Sequence, residues 1–468
     1  MHGPAIMFAD SVYTGRRHAL REQLRSGVVL LVGNVDAPIN FAHNVHPFRQ
    51  DATFSYFFGV NRPRLAALID LDSGAEAVFG NEAGLDDEIW LGKTAALADE
   101  CRKAGCARIK PYGALRDVVG NVLGSGRTVH YLPPYRAETT LELSRLLGVN
   151  ADGIANGASL DLVRAVVALR EIKSAVEVAE IEHALTIADE MHRVAMRAAR
   201  PGVIEREVVA EMRRVLGRHG VKEAYQPIFT KHGEILHNFD YGHQLEQGDL
   251  VVNDAGAMSR LGYASDVTRT LPVGGRFDTR QRDLYELLLQ VQASAIEAVR
   301  PGIPFVDVHR LAALNMVKGM AALGFFRGDP LEVVSSGAYA ICFQHGLGHQ
   351  LGLDVHDMES LGEDHVGYGE TFRRSDLFGM NNLRMARRLK ASMVLTVEPG
   401  IYFIPKLVDD WRRARRHDHL IDYAKFGEYL DFGGMRVEDE VLVTEDGVRV
   451  MGPGTPKSVE AIGQAMQG

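Results

Sequence analysis

An α/β layer domain followed by a larger α+β domain is the architecture that this 468-residue sequence predicts. Short apolar runs alternate with helix-like stretches from Arg17 to Gly148, the pattern of strands separated by helices. A segment of small and polar residues without periodicity, Ala151 to Leu160, follows and reads as the linker. Beyond it, long amphipathic helical patterns are interleaved with strand signals that carry acidic residues. Helices are therefore expected outside a sheet whose inner face is polar. The boundary is drawn as domains 1–158 and 159–468.

In the first domain the strand candidates are VVLLVGNV from Val28, LAALIDLDSG from Leu65 and AEAVFG from Ala75, and the helix candidates are LADECRKAG and LELSRLLG. The second domain opens with one long helical pattern, Leu162 to Ala199, which stops at the breaker pair Pro201-Gly202. A second helix is expected from Ile204 to Gly220 and a third from Arg280 to Val299, ending before Pro301-Gly302. A fourth runs from Phe305 to about Leu323.

With 46% hydrophobic residues the chain can bury more than one core. A net charge of -9 argues against an extended nucleic-acid footprint, which needs clustered Lys and Arg on one face. The arginine-rich stretch Trp411 to Arg416 is flanked by Asp409, Asp410 and Asp418 and reads as a solvated surface. Cys101, Cys106 and Cys342 form no CxxC pair, so neither a disulfide framework nor a thiolate metal site is expected. The N-terminal twenty residues contain no apolar signal region, and no segment approaches the roughly 18 apolar residues that a spanning helix requires. A soluble, cytoplasmic protein without membrane or nucleic-acid partners is the expectation.

Five residues in the second domain point to chemistry: Asp254, Asp266, His349, Glu398 and Glu438. Residues 249–258 and 263–271 are period-2 apolar runs joined by Ser259-Arg260-Leu261-Gly262, a hairpin signal. A turn centred near Arg260 would set Asp254 opposite Asp266, where two carboxylates repel unless a cation lies between them. Two solvated loop aspartates are the bland alternative. In HGLGHQLG the glycines and the lack of a Glu after His345 argue against a zinc-binding helix. Read as a strand, the segment puts His345, Leu347 and His349 on one face, with His345 as support for its neighbour. His356 lies one short loop downstream. Glu398 interrupts the apolar run MVLTVEPGIYF, a costly place for an unpaired carboxylate, and Pro399-Gly400 marks a turn or bulge. In RVEDEVLV, period two puts Arg436, Glu438 and Glu440 on one face, which is either a site or an exposed sheet surface. Oxygen-rich donors with one imidazole suit Mn²⁺, Co²⁺ or Fe²⁺ better than a structural zinc. Two ions bridged by carboxylates could activate water and polarise a carbonyl.

The segments DAGA with GYASDVTRT, HGLGHQLGLDVHD, TVEPGIYF and RVEDE resemble the motif set of the pita-bread metallopeptidases: prolidases, aminopeptidases P, creatinases and methionine aminopeptidases. FRQDATFSYFFGVNRP resembles the N-terminal domain of aminopeptidase P, so the likeness spans nearly the whole chain. The resemblance implies a pita-bread fold for the second domain and a dinuclear site, Mn²⁺ before Co²⁺, Fe²⁺ or Zn²⁺. It implies that Asp254 and Asp266 bind one metal, that Asp266 and Glu438 bridge, and that His349 and Glu398 complete the other, with Glu398 as general base. His356 matches the histidine that contacts the substrate carbonyl and the developing gem-diolate. His237, in EILHN, matches a histidine that orients substrate, and Arg436 an arginine coupled to the bridging acid.

Within the family, the long segment between Glu398 and Glu438 and the LRMAR stretch resemble prolidases, in which the counterpart of Arg384 contacts the C-terminal carboxylate of a dipeptide. The expected activity is hydrolysis of the bond before proline in Xaa-Pro dipeptides. Aminopeptidase P activity on longer peptides, a metal-free binding module and creatinase-like C-N hydrolysis stand as alternatives. A homodimer or larger homo-oligomer is implied. Three departures surround the substrate pocket: an Asp254-to-Asp266 spacing one residue longer than usual, no glycine-rich sequence before His237, and a long charged segment from Asp357 to Asn382.

Overall fold

The computed structural model describes residues 7–467, so the first six residues of the expected N-terminal domain lie outside the described residues. Two compact units divide the chain, residues 1–170 with 358–365 and residues 171–357 with 366–468. The helix Leu160–Arg170 belongs to the first of these compact units, which ends at Arg170 in this part of the chain. The expected linker is itself ordered: Asn150 caps a short helix, Ala151–Ile154, whose last carbonyl accepts from Tyr131 at 2.9 Å.

The first unit contains strands β1 (Val28–Val32), β2 (Pro38–Phe41), β3 (Asn44–Val45), β4 (Ala66–Asp70), β5 (Glu76–Phe79), β6 (Ile109–Lys110) and β7 (Val129–His130). Five of them form a mixed sheet in the order β6-β5-β4-β1-β7, with β1, β4 and β5 antiparallel and the two edges parallel. The three strands read from sequence are these central three. Their apolar side chains pack against the helices Leu115–Gly124 and Ala137–Leu147 through Leu115, Val119, Leu143 and Leu146.

The second unit contains β8 (Ile228–Thr230), β9 (Leu250–Asp254), β10 (Thr268–Pro272), β11 (Val394–Val397), β12 (Gly400–Tyr402), β13 (Gly434–Arg436), β14 (Asp439–Val443) and β15 (Val448–Val450). They pair as β10-β9-β8, β11-β14-β15 and β12-β13, and a bridge between Thr268 and Glu438 links the first group to the strands around β14. Three helices lie where the sequence places them: Glu205–His219, Thr279–Ala298 and Phe305–Ala322. The long pattern from Leu162 to Ala199 is instead broken into two helices at Glu171 to Ser174. Ser174 opens the second, Ala175–Ala198, with a capping box: its backbone N–H and its hydroxyl both donate to Glu177, at 3.0 and 2.7 Å. Propensity favoured continuity, but Glu171 is bound by Arg387 and Lys390 at 2.8 and 2.5 Å, which fixes the break by tertiary contact. Val208, Met212, Leu288 and Met316 from the helices meet Phe229, Val251, Leu271, Leu395 and Val441 from the strands in one core. The opposite faces of these strands carry Asp254, Thr268, Thr270, Thr396 and Glu440, while Asn253, Arg269 and Asp439 lie on the same strand faces as the core residues.

Candidate metal centre

The hairpin of β9 and β10 supplies the first two acids, in a register other than the expected one. Asp254 pairs with Thr268, not with Asp266. The turn is centred on Leu261, with Ser259 N–H donating to Tyr263 O at 2.7 Å and Gly262 at a φ of 89° that a side chain would resist. The longer spacing is thus absorbed at the turn tip. Asp254 and Asp266 remain on one face as diagonal neighbours, both within reach of a third group. That group is Tyr225, whose hydroxyl lies 2.6 Å from Asp254 Oδ1 and 2.5 Å from Asp266 Oδ1.

His349 comes from an irregular extended segment rather than from a regular strand. It nevertheless runs along β11: Thr396 N–H donates to His349 O at 3.0 Å and Glu398 N–H to Leu347 O at 2.8 Å. Close approach is the reason for glycine at 348, where a Cβ would lie 2.0 Å from Thr396 O. His349 Nδ1 sits 3.0 Å from Gln350 O, which makes it the protonated nitrogen and leaves Nε2 as the donor atom for a ligand. Nε2 is 3.4 Å from Asp266 Oδ2 and 3.6 Å from Glu398 Oε1. Glu398 follows the last residue of β11, so the turn at Pro399 aims it off the strand end.

Glu438 lies between β13 and β14 and is 1% exposed, which rules out a solvated sheet face. Its Oε2 accepts from Thr268 Oγ1 at 2.7 Å, and its Oε1 has no hydrogen-bond partner among the described residues. Arg436 faces the same way: its guanidinium donates to Asp254 Oδ2 at 2.6 Å, Tyr402 Oη at 2.8 Å and Thr268 Oγ1 at 3.2 Å. Tyr402 also contacts His345 Nε2 at 2.9 Å, and the other ring nitrogen of His345 lies 4.0 Å from Glu398 Oε2. The His356 ring centroid is 4.1 Å from that of His349. His237 lies exposed on the segment between β8 and β9. Partial desolvation, then the charge of Arg436, lowers its pKa; half-buried Arg384 acts on it in the same direction. Sequence reasoning missed Tyr225, Thr268 and Tyr402. Period two from Asp266 would have found Thr268, whereas Tyr225 lies in a loop with no pattern.

The electrostatics are those of acids crowded out of water. Burial raises the pKa of Glu398 to about 7, and burial followed by the neighbouring Asp266 and Glu398 charges pushes Glu438 well above the carboxylate range. Burial also raises Asp254, against the opposing pull of Arg436. Asp266 is the exception: burial would raise it, but the hydrogen bond from His349 prevails and its pKa is lowered. The same pair lifts His349 to about 9 in spite of its burial. Ligand atoms of Asp266, His349 and Glu438 lie within 4.8 Å of one another. A buried carboxylate oxygen without a partner, inside a cluster whose ionised forms burial opposes, fits a hard divalent cation.

Fold and site together define a carboxylate-histidine metallohydrolase with helices packed around pita-bread strands. Comparison with known proteins places the chain more narrowly. The model of metallopeptidase family M24 matches residues 179–445 and that of the aminopeptidase P N-terminal domain matches residues 13–130; the chain belongs to family M24. It is 29% identical to the Xaa-Pro aminopeptidase of Escherichia coli, covering 92% of each chain. It is 28% identical to the human Xaa-Pro dipeptidase, covering 98% of this chain and 94% of that one. The structure of E. coli aminopeptidase P with the inhibitor Pro-Leu superposes with a TM-score of 0.81 at 28% identity, covering 99% of each chain. The same E. coli enzyme has been solved in a zinc-substituted form with product.

Proposed function

We propose that this metallopeptidase hydrolyses the peptide bond preceding proline, in Xaa-Pro dipeptides, at a centre of two divalent ions, Mn²⁺ in the cell. The observation that carries this is the convergence of His349 Nε2 with Asp266 and Glu398, beside an unpartnered oxygen of Glu438. Asp254, Asp266, His349, Glu398 and Glu438 would hold the ions. Ions bound there supply Lewis acidity toward the substrate carbonyl and toward the attacking water. Glu398 would take the proton released by the attacking water and pass it to the departing proline nitrogen. His356 donates to the carbonyl oxygen as charge develops there. His237 orients the substrate, and Arg436 keeps Asp254 ionised. His345 adjoins the site through Tyr402 and through Glu398, whose Oε2 lies 4.0 Å from its Nδ1.

The dipeptidase reading assigns to Arg384 the free carboxylate of a dipeptide, which a guanidinium can bind through two parallel hydrogen bonds. Aminopeptidase P activity is the second reading, favoured by the fit to the E. coli enzyme over 99% of both chains. Steady-state hydrolysis of Gly-Pro and Met-Pro against a Xaa-Pro-Yaa tripeptide separates the two; preferred tripeptide turnover would reject the dipeptidase. Residues 1–158 and 159–468 are assigned as the aminopeptidase P-like and catalytic domains. A homo-oligomer accords with exposed apolar side chains in the N-terminal unit, Phe41, Leu85, Ile89 and Trp90. No described helix is long and apolar enough to cross a membrane, which accords with a cytoplasmic location.

A further inference from the structure

The break between the helices Leu160–Arg170 and Ala175–Ala198 contains a lysine that the chemistry above does not use. Lys173 is anchored by its own backbone, whose N–H donates to Ser392 O at 2.8 Å. Its ammonium is 3.0 Å from Asp357 Oδ2, and the two side chains are 1% and 2% exposed. A fully buried ion pair contributes little net stability compared with apolar packing, so its place in the fold calls for another reason.

Asp357 directly follows His356, and it closes the loop that begins at His349. Its backbone N–H donates to Gln350 O at 3.0 Å, the same carbonyl that His349 Nδ1 contacts at 3.0 Å. Its Oδ1 accepts from Asp354 N–H at 3.3 Å. Gly352 lies under the pair, where a Cβ would be 2.5 Å from Asp357 Oδ2 and 3.1 Å from Lys173 Cε. One carbonyl and one carboxylate thus set the relation between the two histidine rings, and Lys173 supplies a charged contact to that carboxylate beside Asp354 N–H. Four residues on, Glu177 accepts from Tyr263 at 3.0 Å, at the tip of the hairpin that bears Asp254 and Asp266. The helix break thus grips two of the segments that carry the metal centre, the His349 loop and the hairpin of Asp254 and Asp266.

We propose that Lys173 is a positioning residue: through its buried pair with Asp357 it holds His356 against His349 in the geometry that the substrate carbonyl requires. The inference rests on the proposed peptidase reading for His356, and two readouts keep them separable. The first is amide hydrogen exchange of residues 350–357 in the full-length Mn²⁺-loaded protein. Lys173→Met should speed that exchange while residues 250–254 stay protected, and Lys173→Arg should restore it. Unchanged exchange in Lys173→Met overturns the clamp whatever the enzyme hydrolyses.

The second readout is a double-mutant cycle on a Xaa-Pro substrate. Lys173→Met should lower kcat on the order of tenfold to a hundredfold, the cost of a misplacement of about 1 Å, with KM and Mn²⁺ affinity little changed. In a His356→Ala background the same substitution should change kcat less than about twofold, since the residue it positions is gone. Equal losses in both backgrounds, or a loss that tracks Mn²⁺ affinity, would refute action through His356. Failure of the wild type to turn over any proline peptide would sink the functional reading instead and leave the exchange result to decide the clamp. If Lys173→Met does not fold, Lys173→Met/Asp357→Asn removes both charges and is read the same way.

Discussion

Replacing Tyr225 by Phe removes a single hydroxyl from between two metal-binding acids, and the structure sets how much that should cost. The oxygen is 2.6 Å from Asp254 and 2.5 Å from Asp266, yet it has one proton to donate. Two short contacts with one proton mean that only one is a donated bond to an ionised acid. A bond to a charged partner is worth about 1.5–3 kcal/mol, so the loss is that figure and not twice it. In affinity this corresponds to roughly ten- to hundredfold weaker metal binding, the range typical of groups that orient metal ligands. Titration of Mn²⁺ into chelator-stripped Tyr225→Phe protein, followed by calorimetry beside the wild type, measures it directly. An affinity within twofold of wild type, in a variant with an intact fold, would show that Tyr225 does not organise the two aspartates. A thousandfold loss would be equally damaging, because one hydrogen bond cannot account for it.

Three further outcomes are expected. His349 and Glu398 both have folded pKa values above their unfolded ones, about 9 and about 7, so the stability they confer is present at low pH and lost as pH rises through those values. The melting temperature of chelated protein should therefore fall between about pH 4.5 and 9, Glu398 acting in the lower part of that window and His349 in the upper, while the rise produced by Mn²⁺ grows over the same window; a flat profile would contradict the assignment. Arg436→Met leaves Asp254 buried without its guanidinium and should cost about 3–5 kcal/mol in chemical denaturation of the metal-free protein. Gly348→Ala drives a Cβ into Thr396 O and should destabilise by about 1–3 kcal/mol while displacing His349, seen as lost Mn²⁺ affinity.

What the sequence disclosed and what it concealed divide along the range of the interactions. Helices 205–219, 279–298 and 305–322 are legible because caps, breakers and periodicity are local. The break before Ser174 was also written locally, as Ser174 with Glu177, but Ala- and Glu-rich periodicity on both sides masked it. Asp254 and Asp266 could be read as neighbours, yet their register could not, since one residue in the turn moves Asp254 from Asp266 to Thr268. His349 looked like a strand residue because its backbone does pair along β11, although the glycines keep the segment irregular. Tyr225 was invisible: a loop tyrosine acquires its role only when the chain brings β8 and the hairpin together.

The charges of the finished site bear on how many ions it takes. Asp254, Asp266, Glu398 and Glu438 bring four negative charges when all are ionised, and Arg436 returns one. Burial pushes the Glu440 carboxyl well above the carboxylate range, which disfavours a further negative charge there, and its Oε1 accepts from Asp266 N–H at 2.6 Å. His349 must be neutral to offer Nε2 to a metal, so three negative charges remain in a largely buried cluster. One divalent ion leaves that cluster negative, and a buried net charge is costly. Two leave it with one positive charge, which a single anion, such as an ionised water, neutralises. Charge balance therefore favours two ions per chain. Elemental analysis of protein purified without chelators and saturated with Mn²⁺ should return a stoichiometry near two, and a value that stays at one would require a different protonation of the four acids.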